Sequence, residues 1–518
     1  MPEDGQGGGA GTRLLLTAAE AFPAFEELVL DAQDRVVMGF RVFDPDTRLR
    51  SERAQEVGRT WGDLIGATLD RGVSVRLILS DFDAVARPEL HRGTHAAIRK
   101  LNAIAEGSAH PDLWTGIAAL HPARVGIGPR LLFWPKILGE LKATAERLNA
   151  LDPDERSQAL EDMPGVAAYL RKDGGTLRPR RWPVPPLVPA SHHQKLAVID
   201  GRTLYIGGLD LDERRYDTPA HDRGSRQTWH DAQVIVEGEA AAAAEAHLEA
   251  FPEECERGST LPRPGLLRTL SAQRSNAQFH VSPKPVVSEL TDAHLSGIEA
   301  AQKLVYLETQ FFRCRKIAQA LAEAAHRAPD IGMVLVLPAA PEDVAFEGKT
   351  KSDARYGEYL QAKCVDQVRA AFGDRLFIGA PAQHRRESAD PDAKGRAALD
   401  EAPIVYVHAK LSVFDGASAI VSSANLNGRS LDWDTEAGVE LGAPDAARLL
   451  DRCLDHWVGG ELAAELPRDG ALAPALARIS QEDAERPPET RRSLLLPYPV
   501  APARRFGRNI PGLPEEIV

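Results

Sequence analysis

The chain has 518 residues, 43% hydrophobic and 26% charged, an ordinary globular balance that excludes disorder throughout. A formal net charge of −13 excludes the broad basic surface on which non-specific nucleic-acid binding depends, so no nucleic-acid partner is expected. Cys255, Cys314, Cys364 and Cys453 lack C-x-x-C spacing, which argues for reduced core thiols and against a disulfide framework or a cysteine zinc site.

Residues 1–12, acidic and then glycine-rich, read as a disordered tail without the basic and apolar regions of a secretory signal. No run approaches the roughly 18 apolar residues of a membrane span. A cytoplasmic protein is expected, visiting a membrane surface at most, with export by a route lacking a cleavable signal left open. The first lobe is read over 13–252. It opens with a helix over 16–30 and a strand over 35–42, then a helix whose apolar stripe is Trp61, Leu64, Ile65 and Leu69, then a strand over 73–79. Residues 96–170 read as a helical insertion carrying the apolar run Leu131-Leu132-Phe133-Trp134, and the prolines of 178–189 as a rigid extended lead-in. An alanine-rich helix over 239–251 precedes a proline-bearing linker over 253–285. The second lobe, 286–485, repeats the plan: strand over 304–312, helix over 317–326, strand over 331–337, helix over 357–372, strand over 375–378. A proline-rich tail over 486–518 ends the chain, with 494–498 apolar enough to dock as a strap. Strands alternating with helices imply α/β layers with a parallel or mixed sheet in each lobe.

One pattern occurs once in each lobe. His193-Gln194-Lys195 followed by Asp200, and His408-Ala409-Lys410 followed by Asp415, both read H-x-K-x4-D. After six intervening residues come Gly207-Gly208 and Ser422-Ser423, and two positions further on Asp210 and Asn425, each 17 positions after its histidine. The apolar runs 196–199 and 411–414 read as buried strands. On a strand, residues i and i+2 share a face, so each copy offers one imidazole beside one ammonium. Two such strands brought together make a pocket suited to a phosphate diester.

These motifs resemble the phospholipase D superfamily. Gly207-Gly208-Leu209-Asp210-Leu211, Arg215-Tyr216-Asp217-Thr218-Pro219, Trp229-His230-Asp231 and Tyr306-Leu307-Glu308-Thr309-Gln310-Phe311-Phe312 are similar to its eukaryotic, plant-like branch, with Thr309 where Asn is usual. The resemblance runs from about 16 to 457, with no N-terminal lipid-binding module ahead of it. It implies two pseudo-symmetric lobes, mixed sheets flanked by helices, and one shared active site in a monomer. It also implies a phospholipid substrate, transient contact with a membrane surface, and no cofactor or catalytic metal. The implied reaction is hydrolysis of glycerophospholipids to phosphatidic acid, with transphosphatidylation, through a phosphohistidine. Phosphatidyl transfer of the cardiolipin synthase kind is an alternative, and a nuclease or a noncatalytic lipid scaffold are weaker ones.

Within that reading His193 is the expected nucleophile and His408 the acid, while Lys195 and Lys410 hold the non-bridging oxygens. Asp231 and Glu436 are expected to orient the histidines crosswise, Asp231 on His408 and Glu436 on His193. Asp210, Asn425, Gly208 and Ser423 are candidate phosphate-pocket residues. Asp200 and Asp415, at the turn after each strand, are expected to be structural. His192 faces away from His193, and a packing role is favoured for it and for His230. Arg214, Arg215 and Arg429 are head-group candidates, and Trp229, Trp433, Tyr216, Phe311 and Phe312 read more readily as core than as an acyl groove.

Overall fold

Two mixed sheets, each flanked by helices, are built from the two halves of the sequence in the computed structural model, which describes residues 12–275, 278–348 and 352–518. The expected tail over 1–12 lies outside the described residues except for Thr12. The first sheet runs, edge to edge, Arg13–Leu16, Ala232–Glu237, Thr203–Gly207, Leu196–Ile199, Arg35–Phe40, Ser74–Asp81 and Trp114–Leu120. The second runs Lys284–Ser288, Leu267–Ala272, Glu436–Leu441, Ser418–Ser422, Lys410–Phe414, Leu304–Thr309, Gly332–Val336, Leu376–Pro381 and Leu495–Pro497.

From Arg13–Leu16 to Trp114–Leu120 and from Leu267–Ala272 to Leu376–Pro381 the two orders correspond strand for strand. In each, three parallel strands joined by helical crossovers meet an antiparallel meander at the H-x-K strand. Near-continuous apolar runs such as Val36-Val37-Met38 and Val334-Leu335-Val336 are buried on both faces because helices cover the sheets. Helix Trp61–Asp70 starts at a capping box, Thr60 with Asp63, and buries the Trp61, Leu64, Ile65 and Leu69 stripe.

Three expectations meet a different chain. The insertion over 96–170 contains an edge strand, Trp114–Leu120, as well as helices. The stretch expected as a linker holds the end of helix Glu239–Arg257 and strand Leu267–Ala272, whose Arg268 is buried against Glu289 and pairs at 2.9 Å. The C-terminal stretch is built into the second lobe. Leu495–Pro497 pairs with Leu376–Pro381, and Val500–Phe506 lies against helix Ser352–Phe372.

Asp200 and Asp415 do the same job in the two lobes. Asp200 accepts backbone N–H bonds from Gln33, Asp34 and Arg35 at 2.9 Å, just where strand Arg35–Phe40 begins. Asp415 accepts from Gln302, Lys303 and Leu304 at 2.7–2.8 Å, where Leu304–Thr309 begins. Both sit at positive φ, 51° and 55°, a conformation that aspartate tolerates better than most side chains. The Asp200→Ala variant is therefore expected to lose about 1–2 kcal/mol of unfolding free energy in urea titration while keeping its turnover number. A loss of turnover at full stability would move Asp200 into the chemistry.

Candidate active site

Each H-x-K segment enters its strand alongside the opposite lobe. His192 bridges Thr435, and the His193 N–H donates to the Thr435 carbonyl at 2.8 Å. His230 bridges Val407. Its N–H donates to Tyr406 O at 2.8 Å, and the His408 N–H donates to His230 O at 2.7 Å. The residue after each bridge partner, Glu436 in one case and Asp231 in the other, is thereby delivered to the histidine of the other lobe.

The carboxylates meet the imidazoles crosswise. His193 Nδ1 lies 2.9 Å from Glu436 Oε1, and His408 Nδ1 lies 2.6 Å from Asp231 Oδ2. Lys410 Nζ also lies 2.8 Å from His408 Nδ1, but that nitrogen cannot donate to Asp231 and accept from Lys410 at once. The shorter contact, to the carboxylate, holds the proton and leaves Nε2 for chemistry. His193 keeps some solvent access, its side chain 14% exposed, whereas Asp231 and Glu436 are fully buried.

Burial governs the electrostatics. It pushes both histidines well below the ordinary imidazole range; the fields of Lys195, Arg41 and Lys410 add to this at His193, and those of Lys410, Arg215 and Lys195 at His408. Burial likewise raises Asp231 to about 6 and Glu436 to about 8. Lys410 falls to about 7 by burial, with Asp231 opposing the fall and Lys195 adding to it. Lys195, also lowered by burial, is fully enclosed; its Nζ donates to the His193 carbonyl at 2.5 Å and stands 3.8 Å from Asp210. Lys195, Lys410 and Arg41 thus set a desolvated positive field at the two histidines, which favours an anionic ligand.

Some candidate side chains sit differently from expectation, whereas His192 takes the structural place expected of it. Gly208 and Ser423, expected at the phosphate, stand instead behind the carboxylates. A Cβ at Gly208 would lie 2.0 Å from Asp231 Oδ1, and Ser423 Oγ donates to Glu436. Asp210 accepts from the Val42 N–H at 2.9 Å and faces Lys195, so its negative charge acts on the lysine and would repel a phosphate directly. Asn425 Oδ1 is buried without a hydrogen-bond partner. His192 Nδ1 is satisfied by Thr435 Oγ1 at 2.7 Å. Arg214 is drawn to Glu342 at 2.9 Å and Arg429 to Asp434 at 3.0 Å. Arg215 lies 3.8 Å over the Trp229 ring, which in turn packs 4.5 Å from His408, and its Nε and Nη1 lack hydrogen-bond partners.

Arg41 was not singled out by sequence. It follows strand Arg35–Phe40, and its field reaches both His193 and Lys195. The signal for it is positional: it lies on the segment beside the H-x-K strand, just before the Val42 amide that Asp210 holds.

Residues 294–457 match the family described as "Cardiolipin synthase, PLD-like domain". Phospholipase D alpha 4 of Arabidopsis thaliana is 21% identical over 347 residues, covering 49% of this chain and 45% of that protein. Phospholipase D1 of Schizosaccharomyces pombe is 25% identical over 336 residues, covering 46% of this chain and 24% of that protein. The chain thus spans less than half the length of these relatives. Among solved structures, phosphatidylserine synthase from Haemophilus influenzae Rd KW20 aligns over 86% of this chain and 85% of that one, with a TM-score of 0.49 and 13% identity. The family match over the second lobe and the phospholipase D relatives together support membership of the phospholipase D superfamily.

Proposed function

We propose that the protein is a phospholipase D-type phosphodiesterase that cleaves glycerophospholipids to phosphatidic acid and a free head group, and passes the phosphatidyl group to a primary alcohol when one is present. The observation that carries this reading is the crosswise pairing: two imidazoles, each tied at Nδ1 to a carboxylate from the opposite lobe, beside two buried lysines. His193 Nε2 attacks phosphorus, and His408, protonated at Nε2, gives its proton to the departing alcohol. Water or an alcohol then loses a proton to His408 and displaces His193, so two inversions retain configuration. An anionic diester seated among Lys195, Lys410, Arg41 and Arg215 offsets the field that keeps the imidazoles neutral, so binding itself favours protonation of the acid. The lysines and arginines stabilise the charge on the equatorial oxygens.

Two surfaces suit a lipid. A groove of about 460 Å³ runs from Arg41 past Phe43, Leu79, Phe82 and Leu90. Leu132, Trp182 and Phe279 are 82%, 66% and 80% exposed, beside the exposed cations Lys136, Arg180 and Arg181, a mixture that fits transient contact with a membrane surface. Among the described residues no helix is long and apolar enough to cross a membrane. Phosphatidyl transfer of the cardiolipin synthase kind is the second reading, favoured by the description of the family matching 294–457.

Mixed micelles of phosphatidylcholine or phosphatidylglycerol, with and without ethanol, separate these readings. Phosphatidic acid and phosphatidylethanol are the expected products, and cardiolipin from phosphatidylglycerol would favour the second. Turnover of DNA without turnover of any lipid would overturn both.

The pH profile is a further check. Lys410 carries its charge below about 7 and loses it as pH rises, so kcat/KM on an anionic diester is expected to fall on the alkaline side. Glu436, at about 8, titrates with it as a coupled group. Bound phosphate favours the charged ammonium, so the same limb in kcat should move to higher pH. A kcat/KM profile flat from about pH 6 to pH 9 would contradict the assignment of Lys410.

A further inference from the structure

Behind the reaction centre lies a second group of titratable side chains that the proposed chemistry does not use. His221 follows the Asp217-Thr218-Pro219 turn, His230 bridges Val407, and His456 lies in the last turn of helix Ala443–Val458. One ring nitrogen from each lies within 4.8 Å of the other two, and His221 Nε2 is 3.0 Å from His456 Nε2. His221 and His230 are fully buried, and His456 is half-buried.

The outward nitrogens of two of these rings are already engaged. His221 Nδ1 donates to Asp217 Oδ2 at 2.7 Å, and Asp217 is fixed by the N–H groups of Trp229 and Thr218 at 2.7 and 2.8 Å. His230 Nε2 donates to Glu308 Oε2 at 2.8 Å, and Glu308 is held by Tyr306 OH at 2.5 Å and Trp457 Nε1 at 2.7 Å. Each of these two rings is therefore left with an unprotonated nitrogen, Nε2 on His221 and Nδ1 on His230. His230 Nδ1 is buried with no hydrogen-bond partner, an unusual state for a polar atom. Neither carboxylate is ion-paired with lysine or arginine among the described residues, so two buried negative charges face three imidazoles. Carboxylate to imidazole to metal is the order of contacts found around zinc.

We propose that His221 Nε2, His230 Nδ1 and His456 Nε2 bind one divalent transition-metal ion of the zinc class. Three neutral imidazoles suit that ion, water completes a tetrahedron, and Asp217 with Glu308 balances its charge. The ion ties the 217–231 segment of the first lobe to the helix that ends at Val458. It takes no part in phosphoryl transfer. His230 does, however, sit between Trp229, whose ring packs on His408, and Asp231, which holds it. On the reading of the reaction centre given above, the metal is a positioning device, and its loss lowers kcat with little change in KM.

A second trio, Asp81, His91 and His95, differs in a way that matters. Both nitrogens of His91 are in use, Nδ1 on Asp81 at 2.6 Å and Nε2 accepting from the Gly165 N–H at 3.1 Å, and no ring nitrogen of this trio is buried without a partner as His230 Nδ1 is.

Untagged full-length protein, desalted and analysed for metals, is expected to carry about one zinc per chain, and His456→Ala to carry roughly a tenth of that or less. Cobalt(II) in place of zinc should give the visible bands of a tetrahedral ion, absent in the variant. Zinc added to stripped protein at a hundredfold excess over its Kd should raise Tm by roughly 2–3 °C, and His456→Ala should not respond. Should His456→Ala fail to fold, His221→Gln serves, since its amide can still reach Asp217 but offers no ligand nitrogen. Wild-type protein that holds no metal and shows no thermal response to zinc overturns the proposal, whatever its activity on lipid. The cluster is then a hydrogen-bonded histidine core. Metal without phosphodiesterase activity would instead sink the reading of the reaction centre and leave the metal site standing.

Discussion

His193→Ala is expected to lower turnover of phosphatidylcholine by at least about ten-thousand-fold, because no other imidazole is held at its place to form the covalent intermediate. His408→Ala should match it on the natural lipid, where an alkoxide must leave, but not on a diester with a nitrophenolate leaving group. That group departs without a proton, so the acid variant should recover about 10²–10⁴-fold in the first-turnover burst of nitrophenolate and then accumulate phosphohistidine at residue 193, because the second step still lacks its base, while the nucleophile variant shows no burst. The contrast decides between two histidines whose surroundings are nearly symmetric, each pushed well below the ordinary range by burial. Rescue of His193→Ala instead would exchange the two roles. Near-normal rates in either variant on phosphatidylcholine would remove that histidine from the mechanism.

Lys195→Met is the second large effect. Lys195 is fully buried, its paired carboxylate is 3.8 Å away, and its field reaches His193 in a desolvated site, where a fixed charge acts strongly on a developing anion. A fall in kcat/KM of about 10²–10³-fold is expected. Stability should move the other way or stay level in the double variant Lys195→Met/Asp210→Asn, because that pair removes a desolvated cation and its distant partner together. Chemical denaturation and steady-state kinetics on the same preparations separate the two effects. A fall of less than about tenfold in the single variant would assign the electrostatic role elsewhere, with Lys410 and Arg41 next in line.

The repeat was legible because its spacing is fixed by geometry. A histidine and a lysine two apart, an aspartate that closes the turn, and a return strand of set length keep the same intervals in both lobes even where the residues differ, Gly-Gly against Ser-Ser and Asp210 against Asn425. The crosswise carboxylates were reached through family likeness and not through the intervals, since Asp231 lies 38 residues after His193 and Glu436 lies 28 after His408. Strand Trp114–Leu120 was not, because an edge strand with several half-exposed positions lacks the apolar contrast that marks a buried one. Strand Leu267–Ala272 was hidden by Arg268, which reads as a surface charge until Glu289 is seen beside it. The linker and tail readings leaned on proline content, but Pro23 and Pro252 lie inside helices, and proline leaves edge strands such as Leu495–Pro497 open. The cluster of His221, His230 and His456 draws on positions 235 residues apart, a separation that no local spacing rule reaches.

Because each imidazole takes its carboxylate from across the interface, neither repeat contains a working half of the centre. Drift in one copy is answerable to the other: a substitution near Thr435 is felt by His193, and one near His230 by His408. Two lobes bound in this way tolerate change only in interlocked couples, Asp231 with His408 and Glu436 with His193, the shorter carboxylate and the longer each reaching a partner in the opposite half.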